Sequence, residues 1–321
     1  MPDLFDVDDL WPDGYERVLE LATEKNPARV LESQGVALLF EKPSARTRNS
    51  SEMAVFQLGG HPVYIRGTEV GLDTRESAED IARTLGCYHR IICARVFDHN
   101  VLERMAIALD GSDFDVPVVN LLSDAAHPCQ AIADVLTLRE LLGPLQGEVL
   151  GYIGDANNMC RSLVKVALME GMDVRVASPP GYSFSTEELD RLTALAGRAG
   201  RGGKLTATHD PEVAAGGADA LYTDVWTSMG QEDEKADRLA AFRGFTIDDS
   251  LLDLAEPDVF VLHCLPAHRG EEISASVFEG PHSAVWKQAA HRQTAMRGIL
   301  AWAIEDGAGI EDGAGIEDGA P

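Results

Sequence analysis

Val36-Ala37-Leu38-Leu39-Phe40-Glu41-Lys42-Pro43-Ser44-Ala45-Arg46-Thr47-Arg48 sets an apolar run against a turn of hydroxyls and guanidiniums. Residues 36–40 have the length and composition of a strand buried on both faces, as in a parallel sheet. Residues 49–58 read as a helix, which predicts Ser44, Arg46, Thr47 and Arg48 at a strand-to-helix turn. Free backbone N–H groups and the helix dipole favour an anion at such a turn. Arginine forks match phosphate oxygens in pairs. Taken alone, the stretch reads equally as a phosphate-ester pocket and as a solvated basic turn or nucleic-acid contact.

Outward from this point, short apolar strands alternate with amphipathic stretches. Strands are expected at 37–40, 63–65, 90–94, 116–121, 149–153, 174–177, 205–207, 220–224 and 259–263. Helical patterns lie between them, among others at 102–109, 132–142, 163–170 and 187–196. This is the rhythm of doubly wound parallel sheets. The break Gly143-Pro144-Leu145-Gln146-Gly147 follows a long helix opening near His127. The expected fold is α/β: two doubly wound parallel-sheet domains, 1–142 and 143–283, joined by that helix. A last helix at 284–304, carrying Trp286, Met296, Ile299, Leu300 and Trp302, is expected to pack back on the first domain and complete it. From Ile304 an acidic, Gly-rich hexad repeats three times. With one isoleucine per repeat it cannot bury a core, so 305–321 reads as a disordered, solvating tail.

Composition narrows the partners. The chain has 321 residues, enough for about two domains, and 53 acidic against 27 basic residues give a net charge of −26. Such a charge argues against nucleic acid and anionic membranes as partners. Only six of the basic residues are lysine. An acidic, lysine-poor surface suits strong salt, where repulsion is screened within a few ångströms, so a halophilic source is expected. Cys87, Cys93, Cys129, Cys160 and Cys264 form no CxxC pair and share no zinc spacing with histidines, which points to a reducing cytoplasm and no metal. The acidic start Met1-Pro2-Asp3 is unlike a signal peptide, and no apolar run reaches the roughly 18 residues of a membrane span.

Further chemistry-bearing residues stand where strands end, which is where open α/β sheets bind ligands. Arg95 closes one strand and is a candidate third cation. In His127-Pro128-Cys129-Gln130, His127 and Gln130 suit a carbonyl and an amide, although such a start also opens ordinary helices. Gly154-Asp155-Ala156-Asn157-Asn158 lacks GxGxxG, which argues against a nicotinamide cofactor. The stretch 224–231 opens on Asp224, suited to an amine or merely exposed, and has a glycine that lets a loop close. Cys264, after the last strand, reads as a nucleophile, a redox thiol or a small buried hydrophobe.

In order and separation, Ser44-Ala45-Arg46-Thr47-Arg48, His127-Pro128-Cys129-Gln130 and His263-Cys264-Leu265-Pro266 resemble the aspartate/ornithine carbamoyltransferase family. The Asn157-Asn158 pair, the 224–230 loop and residues 263–270 resemble its ornithine branch. An aspartate-using member is expected to lack the Ser228-Met229-Gly230 loop and the cysteine. The resemblance spans about Gly35 to Arg297.

The resemblance implies an enzyme that moves the carbamoyl group of carbamoyl phosphate to the side-chain amine of L-ornithine, giving L-citrulline and phosphate without a cofactor. It implies that Ser44, the N–H of Ala45, Arg46 and Thr47 hold the phosphate. Arg95 would bridge phosphate and carbonyl oxygen, His127 and Gln130 would grip the carbamoyl group, and Arg292 would return to this site. Asn158, Ser228 and Met229 would meet the backbone groups of ornithine, Asp224 its ammonium, and Cys264 with Leu265 the reacting end. It further implies homotrimers or multiples of trimers. Two departures stand out: Ala45 replaces a second hydroxyl, and residues 69–76 lack the glutamine many relatives use on carbamoyl phosphate. The rival expectations are an enzyme carbamoylating putrescine or lysine, and a non-catalytic regulatory relative. Asp224 argues against putrescine, and the full set Arg46, Arg95, His127 and Arg292 against silence.

Overall fold

The computed structural model describes residues 1–111, 116–227 and 232–305, and among these the strands form two parallel sheets. The first holds β1 (Gly35–Phe40), β2 (His61–Arg66), β3 (Ile91–Arg95) and β4 (Val118–Leu122) in the order β2-β1-β3-β4. The second holds β5 (Val149–Ile153), β6 (Asp173–Ala177), β7 (Lys204–Thr208), β8 (Ala220–Thr223) and β9 (Phe260–His263) in the order β7-β6-β5-β8-β9. All nine expected strands have a counterpart. On β2 and β7 the strands extend beyond the expected bounds to His61, Arg66 and Lys204, which are polar and exposed. Their pairing is carried by backbone bonds to β1 and β6, which apolar patterning does not register.

The chain reverses its winding beside β1 in the first sheet and beside β5 in the second. A crevice therefore opens at the carboxyl ends of β1 and β3 and of β5 and β8. Parallel register brings Phe40 level with Arg95, so the turn after β1 and the end of β3 lie side by side.

The longer helices are α1 (Asp13–Thr23), α2 (Ala45–Gln57), α3 (Ala78–Gly86), α4 (Asn100–Leu109), α5 (Pro128–Leu142), α6 (Asn158–Glu170), α7 (Thr186–Ala199) and α8 (Val285–Ala303). Pro128 suits the first position of α5, where its missing N–H would have had no partner. Every residue of α5 from Pro128 to Leu138 is buried, because the helix runs between the two halves and packs on α6 and α8. Gly143 ends it in left-handed backbone, φ +80°. The last helix, α8, returns across α1, α2 and α5. It approaches α1 so closely at Gly298 that a Cβ there would sit 2.4 Å from the Val18 carbonyl oxygen. The hexad tail, from residue 306 on, lies outside the described residues.

Candidate active site

The helix after β1 starts four residues earlier than expected, at Ala45 rather than Asn49. Ser44 is its cap: the Ser44 Oγ accepts the N–H of Thr47 at 3.2 Å. Ala45 thereby becomes the first helical residue, and the first-turn N–H groups face the crevice end of the sheet. The two arginines of the turn part company. Arg48 points outward, pairing with Glu52 at 2.8 Å and lying over the Tyr64 ring at 3.8 Å. Arg46 turns inward.

Thr47 is the meeting point of the cationic residues. Its Oγ1 accepts from Ser44 Oγ (3.1 Å), from Arg292 Nη2 (3.2 Å) and, at the long limit, from Arg95 Nη1 (3.4 Å). Arg292 also donates through Nη1 to Gln130 Oε1. Sequence positions 47, 95, 130 and 292 thus converge. Burial pushes Arg95 down to about 10, and the charges of Arg292 and Arg46 push the same way. Arg46 and Arg292 are lowered as well, chiefly by burial. The same causes, burial and then the three guanidiniums, hold His127 well below the usual imidazole range, so it is neutral at pH 7. The Nε atoms of Arg95 and Arg292 and the Nδ1 of His127 are buried without a hydrogen-bond partner among the described residues. Crowded like charges with unspent donors are what a multiply charged anion relieves.

The facing half supplies a carboxylate. Asp224, just past β8, is buried rather than surface-exposed. It accepts the N–H of Val225 (2.8 Å), the Asn157 amide (3.2 Å) and the thiol of Cys264 (2.9 Å). Burial, with the Asp224 charge next, pushes the Cys264 thiol well up, so Cys264 is a hydrogen-bond donor and not a thiolate nucleophile. Arg46 feels the charge of Asp224 across the crevice. Leu265 stands in left-handed backbone at φ +61°, its N–H donating to His263 Nδ1 at 2.8 Å. His263 Nε2 therefore carries the proton and donates to Glu272 Oε1 at 3.0 Å. Ligand atoms of Asp224, His263 and Cys264 lie within 4.8 Å of one another, but both ring nitrogens and the thiol proton are already engaged in these bonds.

Asn158 does not reach this group: its amide donates to the Ser123 carbonyl at 2.5 Å. Its neighbour Asn157, the cap of α6, is the one bonded to Asp224. Ser228 and Met229 lie outside the described residues. In the glutamine-free stretch 69–76, Arg75 bonds the carbonyls of Glu69 (3.2 Å) and Val70 (3.0 Å).

Beneath the site is a polar network that sequence reasoning missed. The buried Asp134 accepts from Gln130 Nε2 (2.8 Å), Gln288 Nε2 (2.7 Å) and the Tyr222 hydroxyl (3.1 Å). Gln288 in turn accepts the N–H of His263 at 2.8 Å. One signal was available, since Gln130 and Asp134 stand one turn apart in the otherwise apolar stretch 128–136.

Two family models match the chain. Residues 3–140 match aspartate/ornithine carbamoyltransferase, carbamoyl-P binding domain, and residues 146–303 match aspartate/ornithine carbamoyltransferase, Asp/Orn binding domain. An ornithine carbamoyltransferase of Acidothermus cellulolyticus is 47% identical over 307 residues, covering 94% of this chain and 96% of the relative. The crystal structure of ornithine carbamoyltransferase from Thermus thermophilus superposes with TM-score 0.83 at 41% identity, covering 94% of this chain and 99% of that one. The enzyme from Pyrococcus furiosus gives TM-score 0.85 at 39% identity, over 94% and 96%.

Proposed function

We propose, from the premise that this chain belongs to the aspartate/ornithine carbamoyltransferase family, that it carbamoylates the side-chain amine of L-ornithine with carbamoyl phosphate, releasing L-citrulline and phosphate. The observation that carries this is the facing of two opposite charge sets. Arg46, Arg95 and Arg292 gather around Thr47 at the end of the first sheet, and Asp224 with Cys264 closes the second.

In this reading Ser44, the N–H of Ala45, Arg46 and Thr47 hold the phosphate, with Arg95 reaching from phosphate to carbonyl oxygen. Neutral His127 donates to that oxygen, and Gln130, held by Arg292, receives the carbamoyl amide. Asp224 pairs with the α-ammonium of ornithine, Asn158, Ser228 and Met229 meet its other backbone groups, and Cys264 and Leu265 border the reacting end. The uncharged amine attacks the carbonyl carbon, a C–N bond forms, and the tetrahedral intermediate expels phosphate as the C–O bond breaks. The amine proton leaves with phosphate or to water. Orientation of two reactants supplies up to roughly 7–11 kcal/mol, and a donor placed where the oxyanion grows about 3–4 kcal/mol. The functional units in this reading are 1–142 with the helix 284–304, which bind carbamoyl phosphate, and 143–283, which bind ornithine.

The reading extends to setting and assembly. Five unpaired cysteines support a reducing cytoplasm, and the charge of −26 with six lysines supports a salt-rich one. Among the described residues no helix is long and apolar enough to cross a membrane. Membership of the family supports a homotrimer or a multiple of trimers, and Met53, Phe56, Tyr88 and Ile107 are exposed apolar side chains on the first half. Citrulline formation from ornithine, putrescine and lysine in parallel tests the reaction. Turnover confined to ornithine is expected, and preference for another amine overturns the acceptor assignment.

A further inference from the structure

We propose that Asp134, which reaches none of the reacting groups, is a positioning residue that sets the carbamoyl site and the amino-acid site in one register. It rests on the carbamoyltransferase reading above. Asp134 is fully buried on α5, one turn beyond Gln130. Its Oδ1 accepts two N–H groups, from Gln130 and Gln288, and its Oδ2 accepts the Tyr222 hydroxyl. Each partner leads somewhere different. Gln130 is turned so that its Oε1, not its Nε2, meets Arg292, and Arg292 goes on to Thr47. Gln288, on α8, holds the N–H of His263, the residue before Cys264. Tyr222 lies on β8 two residues before Asp224.

The polarity of the whole chain of bonds follows from one carboxylate. All three partners donate to it, so the amide orientation of Gln130 is dictated rather than chosen. Gln288 Nε2 also donates to the Tyr222 oxygen at 2.9 Å, so among the described residues that hydroxyl has only Asp134 to receive its proton with good geometry. Placing an amide at position 134 puts a donor where only acceptors fit. Gln130 or Tyr222 must then turn, and a turned Gln130 sets N–H against the N–H of Arg292. The charged groups facing Asp134 are Arg292 from α8 and, titrating far above neutrality, Tyr222 from β8 and Cys264 after β9. Burial holds the carboxyl at about 7, so stability is not what recommends an aspartate here.

The test compares Asp134→Asn, Asp134→Glu and Tyr222→Phe with the wild type at pH 8. Carbamoyl phosphate affinity by calorimetry, citrulline turnover and thermal melts are measured for each. Asp134→Asn should lose roughly ten- to a hundred-fold in kcat and in carbamoyl phosphate affinity, the scale of a misplaced charge-assisted bond, while melting within a few degrees of wild type. Asp134→Glu keeps a carboxylate that can accept from Gln130, Gln288 and Tyr222, although its added methylene disturbs the packing more than asparagine does. It should retain at least tenfold more activity than Asp134→Asn, which a packing role would not produce. If Asp134→Asn does not fold, Tyr222→Phe decides, with a several-fold loss of kcat at unchanged melting expected. Affinity and kcat within threefold of wild type in folded Asp134→Asn and Tyr222→Phe, or a folded Asp134→Glu no better than Asp134→Asn, overturns the proposal. A wild type that binds carbamoyl phosphate but forms no citrulline would sink the reaction instead, and the affinities would still judge Asp134.

Discussion

Replacing Asp224 by asparagine keeps the shape of the side chain and removes its charge, so it isolates the role given to the second half of the site. The carboxylate is buried, with its oxygens shared among the Val225 N–H, the Asn157 amide and the Cys264 thiol. An α-ammonium brought there forms a desolvated charge pair, and deleting one partner of such a pair costs about 2–5 kcal/mol. At about 1.4 kcal/mol per decade, the specificity constant for ornithine should fall between roughly thirty-fold and several thousand-fold. Carbamoyl phosphate affinity should hold or tighten, because Arg46 no longer feels an opposing charge from Asp224. Steady-state citrulline formation with each substrate varied separates the two. Putrescine, lacking the amino-acid head, should gain relative to ornithine. A second readout is independent of turnover: the Cys264 thiol, raised partly by the charge and acceptor of Asp224, should be alkylated faster at a given pH in the variant. An unchanged specificity constant for ornithine in folded Asp224→Asn refutes the pairing, and with it the choice of acceptor.

Arg46→Ala should abolish most turnover, by roughly a hundred-fold or more, at nearly unchanged melting temperature, because Arg46 is already disfavoured by burial; near-normal rates in a folded variant would contradict the anion site. Melting temperature should fall as salt is lowered from molar levels, since the Debye length grows from about 3 Å at 1 M to about 30 Å at 0.01 M; a flat profile refutes the salt-rich setting and leaves the chemistry untouched. Asp134 also makes a pH prediction. Its carboxyl is raised from 3.8 to about 7, so the unfolded chain releases this proton first and the contribution to stability declines as pH rises from about 4 to about 7. With about 1.4 kcal/mol per pKa unit the decline is on the order of 4 kcal/mol, and it should vanish in Asp134→Asn. Parallel melting curves of the two proteins across that window would count against the buried-acid assignment.

Strands β1 and β5 were legible because each buries both faces and reads as an unbroken apolar run; β5 needs nothing more than Val149-Leu150-Gly151-Tyr152-Ile153. The start of α2 was not, because Ser44 and Thr47 look alike as hydroxyls until the backbone shows that one caps the other. Nor was the split between Arg46 and Arg48, since both lie in the first turn and only the fold gives Arg48 a glutamate and a ring to lie against. Helix α1 was missed although Tyr15, Val18, Leu19 and Ala22 recur at the spacing of a buried helical stripe. Asp134 escaped for a deeper reason. Its partners Tyr222 and Gln288 lie 88 and 154 residues away in sequence, and no local pattern announces a bond across such a distance.

The position of Arg292 and Gln288 explains why the fold needs its last helix at the first sheet. Both stand one turn apart on the same face of α8, Arg292 bonded to Thr47 and Gln130, Gln288 to Asp134 and His263. Three guanidiniums in a buried space repel one another, as the lowered Arg95 records, and α8 holds its share of that charge by packing against α1, α2 and α5. The close approach at Gly298 leaves α8 little freedom to slide. Because the cations are fixed before any anion arrives, little reorganisation is needed when negative charge grows on a bound carbonyl. A site assembled from residues 47, 95, 130 and 292 therefore forms only when α8 has packed back against α2 and α5, and chains without that packing lack the cation set.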